Sequence, residues 1–282
     1  MNPITAILQR NLLNYIRSKG RVFGSLFMSM FMLVMFSFLM KSSMSGLDAP
    51  MPYLISGVII MSVFQVSVNN SSDILSDISS GYMKEVLVAP IARMQISMGH
   101  ILSGAVIATL QGVVTMICGI VLGLRVGILQ ILLLTAVMLV SAMAFSAIGL
   151  FLATVSRNSP AFQTLSSMIM MPLTFVSGAY IPTTIIPGFL LPIVYLNPLT
   201  YTTSIFRYIA LGAYTLTTKE LVEQGMAFSI GGFVITPLMG LVITVLIGAF
   251  FFVLCVRKFN RADFSAIKVA AGMRGGGAPA KR

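Results

Sequence analysis

Few residues in this 282-residue chain can transfer a proton or an electron pair. The single histidine, His100, has no serine and carboxylate at the spacing of a nucleophilic triad, and no G-x-x-x-x-G-K-[ST] phosphate loop occurs. Cys118 and Cys255 fall inside apolar runs, on opposite halves of the expected membrane, so neither a disulfide nor a metal site is expected. No catalytic, cofactor-binding or metal-binding residue is therefore assigned. What remains is hydrogen-bonding chemistry. Ser62, Gln65 and Asn69 recur on one helix face, and Gln163, Ser167 and Thr174 recur on another, with Met170 between them. A polar face on an apolar helix turns toward protein or water. These six residues are the candidate lining of a substrate path, with plain helix-to-helix hydrogen bonding as the alternative.

The elements that must carry those faces are six apolar runs: Phe23 to Met40, Tyr53 to Val68, Ile101 to Leu124, Ile128 to Val155, Phe162 to Val176 and Phe233 to Val256. Most approach the roughly 20 residues a helix needs to cross about 30 Å of hydrocarbon. Hydrophobic residues make up 57% of the chain and charged ones 9%, against about 25% charged in a soluble domain. The expected fold is an all-α integral membrane protein with six transmembrane helices. The first run is too long for the apolar part of a cleaved leader and leads into further spans, so it is read as retained. Ahead of it, Ile4, Leu8, Leu12 and Tyr15 share one helix face while Arg10, Asn14, Arg17 and Arg21 share the other. That pattern predicts an amphipathic interfacial helix over residues 1–22, followed by a transmembrane domain over 23–256.

A net charge of +11 in a soluble protein would point to nucleic acid, but here the positions of the charges follow membrane topology. With both termini cytoplasmic, 14 of the 18 Lys and Arg residues fall inside, and only Lys41, Arg125, Arg207 and Lys219 fall outside. The basic tail over 257–282 either touches anionic lipid headgroups or only enforces orientation. The 21 methionines suit an adaptable apolar surface, though methionine is also ordinary membrane filler.

Two polar interruptions stand out. Residues 73–95 hold Asp73, Asp77 and Glu85, three of the seven acidic residues, with Gly81 and Pro90 bounding a short helix from Tyr82 to Val88. Such a segment is a handle for another protein. Residues 177–212 are apolar yet broken by Pro182, Pro187, Pro192 and Pro198, which excludes one straight helix. They predict an outer re-entrant helical hairpin before the last span.

The run GYMKEVLVAPIAR followed by Gly99, together with SGAYIP and YLNPLTYTTSIFRYIALG, resembles the type 2 permease family of ABC transporters, in its drug-resistance and polysaccharide-export branch. The order of features is similar over nearly the whole chain. His100 stands where similar sequences often carry a lysine. The resemblance implies a homodimer, or a pair with a sister permease, bound to two separate ABC ATPase subunits that hold ATP and magnesium. It also implies an ATPase-coupling role for Gly81, Lys84, Glu85, Pro90 and Arg93, and an outer-hairpin role for Pro182, Pro187, Asn197, Pro198 and Arg207. The expected function is the membrane subunit of an ATP-driven exporter of a hydrophobic or amphipathic, drug-like compound. Export of a polysaccharide or glycolipid, and an ATP-independent channel or secondary carrier, are the alternatives.

Overall fold

Because a helix satisfies its own backbone hydrogen bonds, a chain this apolar folds as helices. The computed structural model describes residues 2–43, 50–88, 91–180, 186–230 and 233–261. Pro90, Pro182, the side chain of Lys84 and the tail from 262 lie outside the described residues. The order is α1 (Pro3–Arg17), α2 (Lys19–Ser43), α3 (Pro50–Asn69), α4 (Asp73–Ser79), α5 (Tyr82–Val88), α6 (Arg93–Val121), α7 (Ile128–Val155) and α8 (Ser159–Val176). There follow α9 (Leu191–Leu196), α10 (Pro198–Ala210), α11 (Thr218–Glu223), the strands β1 (Phe228–Ile230) and β2 (Phe233–Ile235), and α12 (Pro237–Arg261). Asparagine and proline set several helix starts. Asn2, Asn158 and Asn197 accept hydrogen bonds from the N–H groups of Ile4 (3.3 Å), Ala161 (2.8 Å) and Leu199 (3.0 Å), each with a proline in the first turn.

Among the described residues, four helical runs are long and apolar enough to cross a membrane: Met51–Ser79, Arg93–Val121, Ile128–Val155 and Pro237–Lys258. The segments Gly188–Leu196 and Pro198–Ala210 make a fifth only if counted together, and they are bent by 82°. The runs carried by α2 and α8 are not among the four. In α8 the first half holds Gln163, Thr164, Ser166 and Ser167, which dilutes its apolar character. The protein is an all-α membrane protein apart from the two three-residue antiparallel strands.

Three boundaries differ from the sequence expectation. The second apolar run continues as helix through a 3-10 turn at Asn70–Ser72 into α4, so Asp73 and Asp77 stand on a helical extension rather than a loop. The run starting at Phe233 opens as β2, and helix begins only at Pro237, a residue whose fixed φ suits the first turn and whose missing N–H costs nothing there. The N-terminal helix ends at Arg17, not 22, because Ser18 closes it by donating its own N–H back to Asn14 (3.1 Å).

The α7 helix is the hub, packing on α6, α12 and α3. Phe145 meets Phe64 of α3 edge-on at 4.8 Å. Lipid tails remove the hydrophobic drive between spanning helices, so close approach through small residues takes its place. A side-chain carbon at Gly149 would stand 2.8 Å from the Val68 backbone of α3, and one at Gly248 of α12 would stand 2.6 Å from Ala144 of α7.

Arg207 of α10 was expected among the outward charges, but it is 1% exposed. Its Nη2 donates to the carbonyls of Gly178 (3.1 Å), Ala179 (3.3 Å) and Tyr53 (3.4 Å), and its guanidinium lies 3.3 Å above the Tyr53 ring. Carbonyl dipoles and the ring quadrupole here replace a carboxylate as the partners of a buried charge. Arg207 thereby joins α10 to the start of α3 and to the turn after α8.

Substituting Gly149→Val forces α3 and α7 apart and lowers stability by about 1–3 kcal/mol. Gly24→Ala, inside α2 at a position where an added carbon meets nothing within 4 Å, does not lower it and raises it by up to about 1 kcal/mol. Thermal unfolding of the purified chain in detergent reads both, and equal midpoints would refute this account of the α3–α7 contact.

Candidate substrate cavity and the helical turn beside it

A cavity of about 240 Å³ lies between α2, α3 and α6. Ser62, Gln65 and Asn69, the polar face expected on α3, line one wall. Ser25, Met28, Ser29 and Met32 of α2 line the opposite wall, and Gln111 of α6 stands with them. None of the lining residues is charged. The Ser62 hydroxyl is engaged by the Ile59 carbonyl (2.7 Å) and the Ser29 hydroxyl by that of Ser25 (3.0 Å). Gln111 is 4% exposed, and its Oε1 accepts from the Tyr15 hydroxyl (2.7 Å) and the Ser25 hydroxyl (2.9 Å). Its Nε2 has no partner among the described residues.

Tyr15 belongs to α1, which packs along α6. The buried stripe of α1 is Ile7, Asn11 and Tyr15, turned from the expected stripe of Ile4, Leu8, Leu12 and Tyr15. The reason is what it sits on. Asn11 Nδ2 donates to the Ser103 hydroxyl (3.0 Å) and lies 3.3 Å from Nδ1 of His100, so polar partners on α6 select a polar residue. One turn earlier, Ile7 covers Gly99, where a side-chain carbon would come within 2.9 Å of it. His100 is accordingly buried within α6, seven residues after its start, and not at a helix end.

Arg10 of α1 and Arg21 of α2 reach the segment after α3. Arg10 Nη1 donates to Asp77 Oδ2 (2.8 Å), its Nη2 donates to Oδ1, and the guanidinium stacks 3.8 Å over Tyr82. The hydrogen bonds to the Asp77 carboxylate raise the Arg10 pKa above its ordinary value. Arg21 makes a second fork onto Asp73, at 2.6 and 3.3 Å. His100 Nε2 lies 4.0 Å from Asp77. Between α4 and α5 the chain reverses at Gly81, whose φ of +84° belongs to the left-handed region that a side chain disfavours. Glu85 of α5 is exposed, and Arg93 is the half-buried first residue of α6.

The structure does not bring every expected site residue together. On α8, Gln163 and Ser167 are exposed and Thr174 is buried, and none of the three lines the cavity. In the proline-broken segment, Pro187 precedes a 3-10 turn at Gly188–Leu190, and Asn197 stands at the bend ahead of Pro198. Asn197 is fully buried and its Nδ2 donates to the Leu173 carbonyl of α8 (2.7 Å), fixing the bend against that helix.

The sequence pattern of the ABC-2 type transporter family matches residues 2–211, which takes in α1 through α10. The chain belongs to that family. Among its relatives, the inner membrane transport permease YadH of Escherichia coli is 28% identical over 164 residues, which is 57% of this chain and 63% of that protein. A protein of Cyanophora paradoxa named as transport permease ycf38 is 25% identical over 169 residues, 59% of this chain and 58% of that one. The chain thus matches less than two thirds of the length of either relative. As an ABC-2 family member with several membrane-crossing helices, it is a multi-pass membrane protein.

Sequence reasoning missed Asn11, Tyr15 as a hydrogen-bond donor, Ser25, Gln111 and the two arginine–aspartate pairs. An amide at the centre of the apolar run from Ile101 to Leu124 was the available signal for Gln111, since polar groups in a span need partners.

A double-mutant cycle on Arg10→Ala and Asp77→Ala gives a coupling energy of about 0.5–3 kcal/mol. The same cycle on Arg21→Ala and Asp73→Ala, a more exposed pair, gives about 0–1 kcal/mol. Thermal midpoints of the four chains in each cycle measure it, and additivity at Arg10 and Asp77 would remove the pair as the tie between α1 and α4.

Proposed function

We propose that this chain is the membrane subunit of an ATP-binding cassette exporter that moves a hydrophobic or amphipathic compound out of the cell. In this reading α2 and α8 join the four long helical runs as spans, giving six, and α9 with α10 forms a re-entrant hairpin at the outer face. Both termini are cytoplasmic, in the cell or inner membrane. Two copies, or one copy with a sister permease, bind two separate ATPase subunits carrying ATP and magnesium. The exposed apolar side chains of α8, Met168, Met171 and Phe175, and of α2, Phe23, Phe27 and Phe31, offer faces for such pairing.

The observation that carries this reading is the mechanical continuity between the helical turn and the cavity. The α4–Gly81–α5 turn presents exposed Glu85 on one side, and on the other it is tied to α1 through Asp77 and to α2 through Asp73. The α1 helix in turn holds Gln111 at the cavity wall through Tyr15. A force applied by a cytoplasmic partner at α5 is therefore delivered through a rigid helix to the wall of a space lined by methionine, serine and amide groups. Methionines and uncharged polar groups suit an amphipathic cargo.

The charged pair on α5 is where the ATPase acts. The double substitution Lys84→Ala and Glu85→Ala lowers transport-linked ATP hydrolysis about tenfold or more, on the scale of losing charged contacts at an interface, while insertion into the membrane is retained. Co-purification of the tagged chain with its ATPase, followed by hydrolysis and vesicle uptake assays, measures this. Wild-type transport in the double variant sinks the coupling role. A chain that purifies alone and carries flux without ATP is a channel or carrier instead.

A further inference from the structure

A second cavity, of about 210 Å³, lies where α6, α7 and α12 meet. Small residues make its floor. Gly248 of α12 rests on Ala144 of α7, where a side-chain carbon would stand 2.6 Å away, and Ala147 and Ala249 extend the floor. Met98 of α6 and Phe252 of α12 stand at its edges. Every lining residue is apolar, and Val245 and Ala249 are exposed, so the space is a groove on the lipid-facing surface. Along α12 it runs from Val245 to Phe252, about 10 Å at 1.5 Å per residue. That takes it from near the middle of the span Pro237–Lys258 toward its basic end, within the depth of one leaflet of a hydrocarbon core of about 30 Å.

The charges on the three helices all lie beyond that end. α6, α7 and α12 contain no Asp or Glu, and their Lys and Arg residues are Arg93, which opens α6, and Arg257, Lys258 and Arg261, which close α12. Arg257 follows Phe252 by five residues, about 8 Å further along the axis. Arg257 and Lys258 are exposed, at the level where lipid headgroups begin. What fills the groove is therefore narrow, apolar and joined to a negative group. A helix of another protein, about 10–12 Å across, is too wide to enter. A polar ligand would lose its hydration there and gain no partner.

We propose that the groove between α6, α7 and α12 binds one acyl chain of an anionic phospholipid, whose phosphate is held by Arg257 and Lys258. The acyl chain fills the space between α6 and α12, both of which pack on α7. This site is independent of what the protein transports and of which face is cytoplasmic.

The sequence contains no tryptophan, so a single introduced one reports alone. Val245→Trp puts the reporter in the groove. Leu246→Trp puts it at nearly the same depth on an exposed position outside the lining. Each full chain is reconstituted in phosphatidylcholine nanodiscs containing a small fraction of lipid brominated on its acyl chains, either phosphatidylglycerol or phosphatidylcholine. Brominated phosphatidylglycerol quenches the Val245→Trp chain at about tenfold lower mole fraction than brominated phosphatidylcholine, on the scale of two basic residues at a membrane surface. The Leu246→Trp chain responds equally to both. Adding Arg257→Gln with Lys258→Gln removes the preference, and adding Ala249→Phe, which occupies the groove, makes the two reporters alike.

Should Val245→Trp fail to fold, native mass spectrometry of the wild type in detergent serves instead. One phosphatidylglycerol per chain is retained, and it is lost in the Arg257→Gln and Lys258→Gln variant. Equal behaviour of the two reporters overturns the site, as does retention of no lipid. Stronger quenching in the groove without a headgroup preference overturns the role of Arg257 and Lys258. A groove reporter that neither lipid quenches means that protein, such as a second copy of the chain, covers the surface, and this also overturns the proposal.

Discussion

The arginine–aspartate forks that hold α1 and α2 to α4 are the contact on which the rest of the arrangement depends. Arg10 and Asp77 are 67 positions apart in the chain, and their pairing fastens the N-terminal helix, which packs along α6, to the segment that follows α3. Once α1 is so placed, Asn11 reaches Ser103 and Tyr15 reaches Gln111. The cover over His100 and the hold on Gln111 at the cavity belong to the same seating. A partly buried bidentate pair is costly to desolvate and costly to break.

The helices divide by how they are held. α3, α6, α7 and α12 approach each other through glycines and small residues, with little room for movement between their backbones. α2 and α8 present large apolar side chains outward and lie at the margins of this group. The cavity sits at the border between the two regimes, with α3 and α6 on its firm side and α2 on the other. A site so placed can change volume by shifting one wall without repacking the core.

Much of this architecture is legible in the sequence, and the part that is not has a physical reason. Apolar runs announce helices because length and hydropathy are local properties, and the Ser62, Gln65 and Asn69 face is a local periodicity that lies along one wall of the cavity. The same periodicity on α8 puts Gln163 and Ser167 on a surface the single chain leaves open. Gln111 has no periodic companion, so only its isolation within an apolar run marks it. Asp77 and Arg10 meet through tertiary packing alone. The Phe233 run reads as helix by composition, yet its β-branched Val234 and Ile235 pair with β1 before Pro237 opens α12.

The placement of Arg207 also bears on how the protein is made. Its charge is shared among carbonyls of Tyr53, Gly178 and Ala179 and the ring of Tyr53, and each of these residues lies earlier in the chain. A ribosome delivering the polypeptide from its N-terminus therefore supplies every partner before it supplies the arginine. By the time the arginine emerges, the groups that share its charge in the folded protein have all been made.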